Sequence, residues 1–277
     1  MFKKLDYEIR KQLNSVSQFT YGYLEETRKE MKDKVLITGG TGRLGKDLIK
    51  LFPDCLHPTR KEMDITKSFY VEKYIEKNKP DIVIHLAALV DIRKCEENKE
   101  EAYSTNVLGT SNVIRALEKH NKRCYFIYMS SPCVFRGDKG PYNELSFPYP
   151  KNFYGITKLQ AETLVNFSRL GRKLIIRSNF APREIWRYPK AFIDRYSTYL
   201  FSDEVAKAIK EVIESEVYGV LHICGDKIMS MYELAKITTP DIKQMTLSEY
   251  NGPPLTIDMT LGTIYKKWRK FKIAEKR

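Results

Sequence analysis

Tyr154 and Lys158, in the run Tyr154-Gly155-Ile156-Thr157-Lys158, have the types and spacing needed for proton transfer. On a helix, residues at i and i+4 share a face, so the phenol and the ammonium are brought together. A phenol of ordinary pKa, about 10, is a poor acid–base group at neutral pH, and a neighbouring ammonium stabilises its phenolate. Such pairs are common on exposed helices. This one gains weight from its context, an upstream apolar run closed by Ser130-Ser131 and a glycine loop further upstream.

That loop is Gly39-Gly40-Thr41-Gly42-Arg43-Leu44-Gly45, with glycines in GxxGxxG spacing. Gly39 permits a tight turn, Gly42 lets the backbone approach a pyrophosphate, and Gly45 allows close helix–strand packing. The helix that follows presents unpaired N–H groups and a positive dipole end to phosphates, which is the chemistry of dinucleotide binding. The next short run, Cys55-Leu56-His57, does not end in the acidic residue that usually reads a ribose; Pro58-Thr59-Arg60-Lys61 follows instead. A guanidinium matches phosphate geometry, so Arg60 predicts NADP(H) in preference to NAD(H).

These groups need a scaffold, and the chain supplies a strand–helix alternation. Val35 to Thr38, Cys55 to His57, Ile82 to Leu86, Tyr125 to Met129, Leu174 to Ile176 and Gly219 to Ile223 read as strands. Leu44 to Phe52, Phe69 to Lys77, Ala102 to Lys119, Phe153 to Leu170, Asp203 to Glu214 and Met231 to Ile237 read as helices. Apolar, β-branched strands alternating with helices predict a doubly wound parallel sheet of α/β, Rossmann-type class, covered on both faces. The expected organisation is an N-terminal helical extension over residues 1–33, a dinucleotide-binding domain over 34–177 and a C-terminal lobe over 178–277 that ends in a basic tail. The extension is read as helical because Leu5, Ile9, Leu13, Val16, Phe19 and Tyr23 recur at three- and four-residue steps.

Composition narrows the class. With 277 residues, 42% hydrophobic and 12% aromatic, the chain can bury a full core and is not a disordered polymer. Its longest apolar stretch, Ile82 to Val90, contains His85 and is far short of the ~20 residues of a membrane span. Five cysteines without CxxC pairing suggest free thiols, and so a soluble, cytoplasmic protein. The formal charge of +13 is spread among lysine–glutamate stretches, which suits an anionic small molecule better than nucleic acid. No His, Cys or Asp spacing suggests a metal. His85 reads as a core histidine and Cys133 as a small pocket-lining residue. Arg177, at a strand end, could meet a substrate phosphate or pair structurally.

Taken together the chain resembles the extended short-chain dehydrogenase/reductases, and among them it is most similar to the dTDP-4-dehydrorhamnose reductase group. The resemblance is carried by GGTGRLG (39–45), Met63 to Thr66, PDIVIHLAALVD (80–91) and Glu101 to Thr110 with Asn106. Further matches are MSSPCVFRGDKGPYNE (129–144), FYGITKLQAE (153–162) and the helix start at 202–209. It implies that Tyr154 donates a proton to a substrate carbonyl oxygen, that Ser131 hydrogen-bonds the same oxygen, and that Lys158 lowers the phenol pKa and holds the nicotinamide ribose. It also implies that Asp64 and Ile65 flank the adenine, that Ala87 and Ala88 line the cofactor path, and that Asn106 supports the site. The implied reaction is reduction of a nucleotide-linked 4-keto-6-deoxy sugar, with an NAD(P)-dependent epimerase or a non-catalytic NADP-binding regulatory subunit as alternatives. A homodimer stays open. Pro132-Cys133 replaces the acidic pair that 4,6-dehydratases carry after the serine, which argues against dehydration; the reductase group itself usually has an aspartate at the position of Pro132.

Overall fold

The computed structural model describes residues 33–268 and 271–273. The helical reading of residues 2 to 32 lies outside them, as do Arg269 and Lys270 of the basic tail.

Five parallel strands form the central sheet in the order β1 (Val35–Thr38), β2 (Ile82–His85), β3 (Tyr125–Ser130), β4 (Arg172–Arg177), β5 (Gly219–His222). Register runs straight across it: Ile37 pairs with Ile84, Ile84 with Ile127, Ile127 with Leu174, and Ile176 with Leu221. Because side chains alternate across a strand, these apolar runs feed two cores. Ile37, Ile84, Ile127 and Ile176 pack on one face against α1 (Arg43–Leu51) and α7 (Ser202–Glu214). Leu36, Val83, Phe126 and Ile175 pack on the other. There they meet α2 (Ser68–Asn78), α5 (Gly109–His120) and α6 (Phe153–Phe167). This is the doubly wound α/β sheet the alternation predicts.

The expected strand at Cys55 to His57 is reduced to one parallel bridge, Leu56 to Leu36. Leu56 still exchanges two hydrogen bonds with β1, Ile37 N to its carbonyl at 2.7 Å and its own N to Val35 O at 2.8 Å. The chain therefore leaves β1 to one side at Leu56 and returns on the other side at β2. That reversal opens a crevice at the carboxyl end of β1, where ligands of such sheets bind.

The helix expected over Ala102 to Lys119 is assembled in pieces. Short helices α3 (Ile92–Glu97) and α4 (Lys99–Tyr103) lead into a π-helical turn, Ser104–Leu108, before α5. Beyond β4, short pairs join Phe180–Ala181 to Leu200–Phe201, Tyr196–Ser197 to Met229–Ser230, and Lys190–Phe192 to Lys243–Met245. Helix α8 (Met231–Thr238) is closed by a capping box in which Ser230 and Glu233 satisfy each other's backbone N–H groups. Among the described residues no helix is long and apolar enough to cross a membrane.

Candidate active site

At the crevice the glycine loop, the end of β2, the end of β3 and the first turns of α6 enclose a cavity of about 780 Å³. Gly39, Gly42, Arg43, Leu44 and Gly45 line it, with Arg60, Asp64, Ile65, Ala87 and Ala88. Ser131, Tyr154 and Lys158 line the same space. Residues that sequence spreads over more than a hundred positions thus line one cavity.

The loop is built for close approach. Gly39 has φ +72°, and a Cβ there would stand 2.8 Å from Ala87 N. Gly42 is the N-cap of α1 and makes no side-chain cap, which leaves the first helical N–H groups to a ligand. These donors, the dipole end behind them and the exposed Arg60 at the rim suit the phosphates of a dinucleotide. Arg60 Nε lies 3.4 Å from Asp64 Oδ2, and Asp64 in turn accepts from Thr66 N at 2.9 Å and Thr66 Oγ1 at 2.8 Å.

Helix α6 begins where it does because Asn152 caps it, accepting from Gly155 N at 2.9 Å, so Tyr154 falls in the first turn. Tyr154 and Lys158 are 8% and 3% exposed. Burial pushes the Tyr154 phenol above its ordinary value, and a hydrogen bond with Ser131 only partly opposes this. Burial also pushes Lys158 down to about 7, against the pull of Glu162. The Lys158 Nζ donates to Met129 O at 2.7 Å and lies 4.2 Å from the centre of the Tyr128 ring. Burial is thus the largest influence on the phenol, and the Lys158 ammonium is directed at the Met129 carbonyl.

Three further residues are held by internal contacts. Asn106 does not line the cavity; it sits in the π-helical turn and clamps three groups, accepting from Leu89 N at 2.7 Å and donating to Leu89 O at 3.0 Å and Thr157 Oγ1 at 2.9 Å. It holds the loop after β2 against α6, a supporting rather than a contacting role. Arg177 is not a substrate ligand here: it is 4% exposed and donates to Glu162 from two of its three nitrogens, Nε at 2.9 Å and Nη2 at 2.6 Å. His85 is a satisfied core histidine between Thr38 Oγ1 at 2.7 Å and Thr110 Oγ1 at 3.0 Å, and burial lowers it to about 3.

The C-terminal segments add residues that sequence reading missed. Arg195, Asn179, Ser178 and Met259 line the cavity. Arg195 is 8% exposed; its Nε donates to Thr256 O at 2.9 Å, and among the described residues it has no carboxylate partner. Asn179 and Arg195 both reach the Met259 sulfur, at 3.7 and 3.5 Å, and a thioether is a weak acceptor. No local motif announces these residues, since the contacts that gather them run across sixty or more positions. Among the described residues no group of three His, Cys, Asp or Glu side chains is placed to hold a metal ion.

Comparison with known proteins fits this geometry. The family model of the RmlD substrate binding domain matches residues 32–181. A dTDP-4-dehydrorhamnose reductase of Aggregatibacter actinomycetemcomitans is 27% identical over 73% of this chain and 76% of its own length. Methionine adenosyltransferase 2 subunit beta of Xenopus tropicalis is 31% identical over 91% of this chain and 84% of its own. The crystal structure of a dTDP-4-dehydrorhamnose reductase from Bacillus anthracis in complex with NADP superposes with a TM-score of 0.76 at 24% identity, over 83% of this chain and 90% of that one.

Proposed function

The chain belongs to the RmlD substrate binding domain family, and from that premise we propose that it is an NADP(H)-dependent reductase of a nucleotide-linked 4-keto-6-deoxy sugar. One observation carries the reading: Ser131, Tyr154 and Lys158 line the same cavity as the glycine loop and Arg60. The reductase relatives and the neighbour solved with NADP support it.

The α1 N-terminus and the glycine loop would take the pyrophosphate, Arg60 the 2′-phosphate and Lys158 the nicotinamide ribose. Bound there, the cofactor supplies a hydride to the carbonyl carbon. Tyr154, kept protonated across the neutral range by burial, holds the proton that the carbonyl oxygen needs. Ser131 shares that oxygen and steadies the developing charge. Segments from 178 onward form the substrate side, where Arg195 offers an unneutralised guanidinium to an anionic substrate.

Tyr154→Phe removes one oxygen and keeps the ring. Loss of general acid catalysis is expected to lower turnover by about 10²–10⁴-fold, with NADPH affinity nearly unchanged. NADPH absorbance with a dTDP-4-keto-6-deoxy sugar reads it, and wild-type turnover in the variant excludes the mechanism.

A second reading is favoured by a specific finding: the likeness to a methionine adenosyltransferase beta subunit spans 91% of the chain. In that case the fold binds NADP(H) and acts on a partner. A wild-type protein that binds NADPH, oxidises none of it with any keto sugar and co-elutes with a methionine adenosyltransferase catalytic chain decides for this alternative.

A further inference from the structure

One turn beyond the Tyr154–Lys158 pair, on the same face of α6, lies a buried cluster of charge that the proposed reaction leaves unused. Glu162 is one turn beyond Lys158 on that face and 2% exposed. Arg177 holds both of its oxygens, Nε on Oε1 at 2.9 Å and Nη2 on Oε2 at 2.6 Å. The Ser130 hydroxyl donates to Oε1 at 2.5 Å. Ser130 and Arg177 are themselves register partners at the carboxyl ends of β3 and β4. One carboxylate thus ties two strand ends to the helix that carries the phenol and the ammonium.

The tie falls at a particular place. Ser130 lies between Met129, whose carbonyl takes the Lys158 ammonium, and Ser131, the partner of the Tyr154 phenol. Any movement of this strand end would carry both. A purely structural role explains the ionic pair poorly, because apolar side chains of similar volume often serve a core as well or better. The titratable and charged groups around Lys158, among the described residues, are Glu162 on its own helix with the Arg177 guanidinium of β4 bound to it, Tyr128 on β3, His85 on β2 and Cys95 on α3, while Tyr154 and Cys133 line the same cavity. Glu162 is the one carboxylate in that set. Burial holds His85 neutral and pushes the Cys95 thiol up to about 12.

We propose that Glu162, clamped by Arg177 and Ser130, is a positioning residue for the Tyr154–Lys158 pair: it fixes the strand end that both side chains address, and its charge maintains Lys158 as the ammonium. The expectation that this ammonium strengthens NADPH binding rests on the cofactor role given above, but the test needs no turnover.

NADPH affinity, followed by fluorescence as pH is varied, is the readout. In the wild type it is expected to weaken as pH rises past the Lys158 titration, about 7. Glu162→Gln removes the anion that holds Lys158 up and should move that midpoint down. Ser130→Ala keeps the charge and loosens the strand end, so affinity should drop at every pH with the midpoint unmoved. Glu162→Gln leaves the Arg177 guanidinium unpaired; if it fails to fold, Arg177→Met, which keeps the anion and removes the cation paired with it, decides the matter by moving the midpoint up. A wild-type midpoint in either folded variant overturns the role of the charge, and wild-type affinity in Ser130→Ala overturns the pin. If the wild-type protein reduces no keto sugar, the reductase reading falls while these binding curves still judge Glu162.

Discussion

Arg60 shows how much can rest on one side chain at the rim of a cavity. Its guanidinium has a carboxylate within reach, Asp64, at 3.4 Å, but that pair is exposed and therefore weak. A 2′-phosphate would offer a dianion and better geometry, so the arginine can leave Asp64 at little cost. Arg60→Ala is expected to reduce the preference for NADPH over NADH by roughly ten- to a hundredfold, the worth of a charge-assisted hydrogen bond of about 1.5–3 kcal/mol. Titration of both cofactors into wild type and variant checks it, and equal wild-type affinities would refute the assignment. At this scale the sequence was most legible where the chemistry is local. Tyr154 and Lys158 sit one helical turn apart, and the glycines lie within seven positions, so spacing together with their place after apolar runs could reveal them. Arg177 was not legible, because its partner Glu162 belongs to another element and nothing in the strand announces the pair. Arg195 and Asn179 were missed for the same reason, as both meet Met259 only through tertiary pairing.

Elements hold these residues through contacts that differ in how much room they leave. A Cβ on Gly45 would lie 2.5 Å from Gly39 O and 2.7 Å from Gly40 Cα, both backbone atoms of the loop itself. A Cβ on Gly42 would meet only Gly39 O, at 3.1 Å. Gly45→Ala must therefore displace α1 from the loop and is expected to destabilise by about 1–3 kcal/mol, an overpacking cost, while losing NADPH. Gly42→Ala should keep its thermal midpoint and weaken NADPH alone. Thermal unfolding with NADPH titration separates the two, and a Gly45→Ala protein as stable as wild type would show that the loop tolerates the displacement. The strands of the sheet were readable because burial on both faces enforces continuous apolar runs. Cys55 to His57 was overestimated for a related reason: a single bridge beside β1 needs only Leu56, so its neighbours carry no further pairing. The π-helical turn at Ser104–Leu108 was invisible in the sequence; it carries Asn106, which reaches across to Leu89 in a contact with no periodic signature.

Across the whole molecule, the site sets its demands against the stability of the fold. A formal charge of +13 favours anionic ligands at long range, but within the cavity the Lys158 ammonium is held where water does not reach it well. Lys158 is 3% exposed, and burial brings it from 10.5 to about 7. Above pH 10.5 the lysine is neutral in both folded and unfolded chains and costs nothing. As pH falls from 10.5 to about 7, the unfolded chain takes up a proton that the folded one does not, so stability declines through that window and is not regained below it. Lys158→Met keeps an unbranched side chain of similar length, removes the titration, and loses the hydrogen bond to Met129 O, worth about 1 kcal/mol. A tenfold change in a protonation equilibrium corresponds to about 1.4 kcal/mol, so the variant is expected to be more stable than wild type near pH 7 by a few kcal/mol. The difference should shrink steadily towards pH 10.5. Denaturant unfolding at several pH values measures it, and turnover of the same variant should be lost. A Lys158→Met protein less stable than wild type at neutral pH would show that the ammonium is well solvated or paired in the folded state, and that the site is not bought at the expense of the core.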